Sequence, residues 1–142
     1  MSVAQDRPLL EGKWKIISVA EDNLFYNLIT YSIFIPGKAL KEVYEDGHDS
    51  LFAVEMFKEM FGSLKNYLLS FNKDSVCLES ESARTKGTYQ ISNSKDSIDL
   101  FIQMASGKPP EHLHYGYIIK NNILILTIPM ANYYRRLVLE KQ

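Results

Sequence analysis

Leu10-Glu11-Gly12-Lys13-Trp14-Lys15-Ile16-Ile17-Ser18-Val19 contains the only tryptophan of the chain and reads as a first β-strand. Trp14, Ile16 and Ser18 fall on one face, with Lys13, Lys15, Ile17 and Val19 on the other. The apolar Ile17 and Val19 imply that the second face is also covered over part of its length. Such a strand must bury its indole against neighbours, so the fold turns on whether the rest of the chain supplies a sheet.

It does. After Gly62 the apolar period is two, and short runs alternate with turn formers. Tyr67 to Phe71 leads through Asn72-Lys73-Asp74-Ser75 into Val76 to Ser80. Thr88 to Ile91, preceded by Gly87, connects through Asn93-Ser94-Lys95-Asp96 to Ile98 to Met104. The turn formers Ser106-Gly107-Lys108-Pro109-Pro110 come next, then His114 to Lys120, the two-residue turn Asn121-Asn122, Ile123 to Ile128, and finally Tyr134 to Glu140. These runs and the first strand predict a mainly β protein with about eight antiparallel strands, joined in sequence as an up-and-down meander. A twisted sheet of that size tends to close into a barrel whose interior holds side chains or one small ligand.

One helix is expected between the first strand and the rest. Asp49 or Ser50 caps it, Phe52, Met56 and Met60 recur every four residues, Ala53, Phe57 and Phe61 run alongside, and Gly62 ends it. Glu55, Lys58 and Glu59 form a wet side of mixed sign, which favours packing on the sheet over a membrane surface. From Glu21 to Gly47 the pattern is weaker. Alternation at Ile29, Tyr31, Ile33 and Ile35 predicts an extended piece ending at Pro36-Gly37, followed by a helical turn at Leu40, Val43 and Tyr44.

The length of 142 residues suits a single domain over residues 1–142, with residues 1–8 as a polar arm. Hydrophobic residues make up 46% of the chain and aromatics 12%, which excludes a disordered chain. Net charge is −1 with Lys and Arg dispersed, which argues against a nucleic-acid partner. Cys77 has no second cysteine to pair with and, in an alternating strand-like run, reads as a small buried or half-buried side chain rather than a reactive thiol. No apolar run approaches the roughly 20 residues that a membrane-spanning helix requires.

Gly12-x-Trp14 on the first strand, the single helix, the later meander and Arg135-Arg136 on the last strand together resemble the calycin superfamily, specifically small bacterial lipocalin-like domains. The resemblance implies that Trp14 closes the base of the barrel, with Arg135 or Arg136 stacked across its indole. Lipocalins usually keep their main helix after the barrel strands. Fatty-acid-binding proteins, which also open with a Gly-x-Trp strand, insert a helical pair after it. The resemblance further implies a carrier of a small apolar molecule and favours export, with a cytoplasmic location as the alternative. Ser2-Val3-Ala4 fits the small-x-small pattern left of a signal-peptidase cut, although no basic or apolar segment precedes it.

No nucleophile elbow, phosphate-binding loop or dinucleotide fingerprint occurs, so we expect a non-enzymatic protein without a cofactor. Glu79 and Glu81 share a strand face, but solvated strand ends explain them better than an acid/base pair. His112-x-His114 places two imidazoles about 7 Å apart on one strand face, a spacing used in metal sites. A third ligand from Glu111 or His48 would be required, and a loop rim accounts for these histidines without one, so no metal is expected. The expected ligand contacts, in the barrel interior or at its open end, are Tyr115, Tyr117, His114, Met104 and Tyr89, because tyrosine joins an apolar body to one hydroxyl. The expected function is binding of a small hydrophobic or amphipathic molecule, by a monomer or homodimer. The alternative is a filled barrel that serves as a structural or interaction domain for a protein partner.

Overall fold

The computed structural model describes residues 8–21, 24–81, 83–92, 94, 96–103 and 107–142. After a helical turn at residues 8–10 the elements run β1 (Gly12–Glu21), β2 (Leu24–Asn27), β3 (Ile33–Phe34), α1 (Gly37–Glu45), α2 (Ser50–Gly62) and a 3-10 turn (Ser63–Asn66). Then follow β4 (Leu68–Asn72), β5 (Ser75–Glu79), β6 (Arg84–Ile91), β7 (Ser97–Ile102), β8 (Glu111–Lys120), β9 (Ile123–Pro129) and β10 (Tyr134–Lys141). From β4 to β10 each strand pairs antiparallel with the next, and β10 returns to pair with β1. The result is a closed eight-stranded antiparallel barrel.

β1 is the seam of this ring. Its first half, Gly12 to Lys15, pairs with β4, and its second half, Ser18 to Glu21, pairs with β2. Along its other edge β10 runs from Trp14↔Lys141 to Glu21↔Arg135, with a bulge between Ile16 and Ser18. The bulge explains why strict alternation fails: Trp14, Ile16, Ser18 and Val19 are all buried, whereas simple alternation puts Val19 on the outer face. The β2–β3 hairpin is an outgrowth of the ring. Its turn forms because the Asn27 side-chain oxygen accepts from the backbone N–H groups of Ile29 and Thr30 at 2.9 and 3.0 Å. The extended reading of residues 29–35 is corrected accordingly: only Ile33 and Phe34 are strand, and Tyr31 sits at a positive φ of 61°.

α2 begins where expected. The Asp49 carboxylate accepts from the Phe52 N–H at 2.9 Å. Its packing is narrower than the apolar pattern implied. Ala53 and Phe61 are buried and Phe57 packs on the core, while Leu51, Phe52 and Met60 are exposed. α1 extends the expected helical turn at Leu40 to Tyr44 into a full helix. Two strands begin earlier than their turn residues suggested. β6 starts at Arg84 and runs through Gly87, where an added Cβ would lie 2.0 Å from the Phe101 carbonyl oxygen, so glycine permits a close strand approach instead of a turn. β8 starts at Glu111, which puts His112 in the sheet and not on a loop rim.

Candidate ligand-binding site

The barrel interior divides into two storeys. Around Trp14 it is solid: Phe71 packs edge-to-face on Tyr89 with ring centroids 5.0 Å apart, and Leu10, Val76 and Leu124 fill the remaining space. The Trp14 Nε1–H donates to the Leu10 carbonyl at 2.7 Å, so the helical turn before β1 covers the indole and satisfies its one polar group. The cation over the ring is Lys141, its Nζ 5.3 Å from the centroid and donating to the Leu9 carbonyl at 2.9 Å. This corrects the assignment of Arg135 or Arg136. Arg135 faces Glu21 across the sheet, its Nε donating to Oε2 at 2.8 Å, and its guanidinium lies 5.6 Å from the Phe61 ring centroid of α2. Arg136 is exposed opposite Ala20. Gly12 lies beside the contact of Lys141 with Trp14. It adopts a φ of +126°, and an added Cβ would lie 3.1 Å from Lys141 Cε.

Beyond the Ile16 layer the interior opens into an apolar cavity of about 170 Å³. Ile16 and Leu139 lie on the Trp14 side, and Leu100, Leu113 and Leu126 line the wall. Leu64 of the 3-10 turn and Tyr67 just after it also reach the cavity, so the segment following α2 contributes to its lining. Among the described lining residues, Tyr67 and Tyr115 alone bring polar side-chain atoms. Burial pushes the Tyr115 hydroxyl above its ordinary pKa; the Glu111 carboxylate adds to the effect and the Arg135 guanidinium opposes it. Tyr115 is therefore a neutral donor and acceptor at physiological pH. A larger groove of about 630 Å³ crosses β1, β4, β5 and β6 and includes Lys13, Glu79, Arg84 and Lys86. Its Arg84 guanidinium is already engaged by Glu79 at 3.5 Å and Cys77 at 3.2 Å, so the more apolar cavity inside the barrel is the better candidate.

Of the five expected ligand contacts, Tyr115 lines the cavity. Tyr89 and Tyr117 point inward but belong to the solid core at 1% and 5% exposure. His114 is on the outer wall, its Nδ1 2.8 Å from Asp99 Oδ1, so its assignment to the interior or open end is corrected: β8 alternates, and the parity that turns Tyr115 inward turns His114 outward. Met104 lies outside the described residues. Missed by the sequence reading were Leu64 and Tyr67, which stand between the helix and the first meander strand. An aromatic residue immediately before an alternating strand was the available signal.

A closed antiparallel barrel with a capping helix and an apolar cavity defines the class of this molecule. A crystal structure of a DUF4847 family protein from Bacteroides vulgatus ATCC 8482 is similar to it, with a TM-score of 0.54 and 12% identity over 94% of this chain and 96% of that one. At that identity the likeness shows the fold alone. No family model and no curated protein sequence matches this chain.

Proposed function

We propose that the chain is a non-enzymatic, lipocalin-like binding protein that holds a small hydrophobic or amphipathic molecule inside the barrel. The apolar cavity next to Tyr115 and Tyr67 carries this reading. Its size narrows the ligand. Apolar cavities of about 150 Å³ hold a molecule such as benzene, so a volume of about 170 Å³ suits a single ring or a short branched chain, with a hydroxyl or carbonyl that a tyrosine can meet. A long acyl chain exceeds that volume.

The test is native mass spectrometry and thermal shift with a panel of monocyclic phenols, aromatic hydrocarbons and short-chain alcohols. We expect stabilisation by members of ring size, abolished in Leu100→Phe, which fills the cavity, and weakened for phenols in Tyr115→Phe. If no member shifts the melting temperature of the wild type, the carrier reading fails. A second reading, an interaction domain for a protein partner, draws support from a different observation: Phe25 and Phe34, cross-strand partners on the β2–β3 hairpin, are both exposed, as are Leu51 and Met60 of α2.

A further inference from the structure

The outer wall of the barrel carries a cluster that the cavity does not use. Asp99 on β7 and His114 on β8 are directly opposed in the sheet, and His112 is two residues away on the same outward face. His112 Nε2 and His114 Nδ1 lie 2.7 and 2.8 Å from one and the same oxygen, Asp99 Oδ1. A carboxylate oxygen only accepts, so both rings donate to it, and the three donor atoms lie within 4.8 Å of one another. The His112 ring also stacks on Phe101, with centroids 4.8 Å apart and planes 8° from parallel, which fixes its orientation. We propose that Asp99, His112 and His114 form a binding site for a divalent transition-metal ion of the zinc class.

Two imidazoles and one carboxylate are the donor set that zinc and its neighbours select, with metal–ligand distances of about 2.0–2.2 Å. The ion replaces the two N–H···O contacts. His112 Nε2 and His114 Nδ1 then carry no proton and each ring keeps its proton on its other nitrogen. Three protein ligands leave a further coordination position to water or to an incoming donor. Because the donors sit on two paired strands, little rearrangement is required, and the bound ion ties β7 to β8 directly behind Leu100 and Leu113. The site is independent of whether the cavity holds a ligand.

Metal-free protein titrated calorimetrically with zinc chloride should bind one ion per chain. Cobalt(II) at the same site should give visible absorption of low-coordinate intensity, and the two histidine ring nitrogens should shift in NMR spectra. His112→Ala, His114→Ala and Asp99→Ala should each weaken binding beyond the about 10–100-fold that loss of an outer-shell partner costs. His48→Ala should leave it unchanged. Both histidines are more than half exposed, so their alanine variants are expected to fold, which circular dichroism checks. Absence of zinc binding to the wild type, or equal affinity in the folded double variant His112→Ala/His114→Ala, would overturn the proposal.

Discussion

Trp14 has no exposed surface and is held from two directions, by the Leu10 carbonyl at its nitrogen and by the Lys141 ammonium over its face. Its truncation removes a whole buried aromatic, so Trp14→Ala should cost about 3–5 kcal/mol in denaturant unfolding. A loss below about 1 kcal/mol would place the indole outside the core. Lys141→Met should shift the fluorescence of this sole tryptophan, while Arg136→Met should not. The sequence made a late cation legible but not which one, because the choice depends on register. Antiparallel pairing puts Lys141 beside Trp14 and carries Arg135 and Arg136 to Glu21 and Ala20, about 20 Å along β1. A resemblance carried by residue types does not contain that register. The same limit applied to His114: spacing showed that it shares a face with His112, but only the pairing of β8 with β7 brings Asp99 to both.

At the scale of elements, the meander was readable because short strand-like runs are separated by turns with their own chemistry, even where both faces are apolar, as in Ile123 to Leu126 of β9. Lys73 and Asn121 take the positive φ that tight hairpins require, at the turns read from Asn72-Lys73-Asp74-Ser75 and Asn121-Asn122. Gly87 lies inside β6 and not ahead of it, because its missing side chain lets the β7 backbone approach closely. Gly87→Ala should therefore destabilise by about 1–3 kcal/mol, since the new methyl meets backbone that cannot rotate away. A neutral result would show that β6 and β7 separate freely there. The helix was legible in position and not in orientation. Its apolar residues form two neighbouring stripes, and among its described residues Phe61 joins the barrel core, Phe57 packs against it and Ala53 is buried on the same side. Phe61→Ala should lose about 3–5 kcal/mol, whereas Met60→Ser should stay within about 0.5 kcal/mol. Equal costs for the two would mean that α2 is rotated.

For the whole molecule, the cavity was the least legible feature, because it is the small difference between the space a ring of strands encloses and the volume of the side chains inside it. Tyr89, Phe71 and Tyr117 fill one storey, and the shorter Leu100, Leu113 and Leu126 leave room in the next. No periodicity reports that balance. Closure itself is open to a direct test. In an edge strand, alternate N–H groups point away from the sheet, so proline is tolerated at one of any two successive positions. β10 is paired on both sides, with Leu137 opposite Leu126 and Val19, and Val138 opposite Ile125 and Ser18. Leu137→Pro and Val138→Pro should therefore both destabilise, each leaving a carbonyl without its donor at a cost of about 1–3 kcal/mol before any strain is added. The β3 edge provides the control: one of Ile33→Pro and Phe34→Pro should be nearly neutral. If Leu137→Pro and Val138→Pro instead divide into one tolerated and one damaging substitution, the ring is open between β1 and β10, and Trp14 closes nothing.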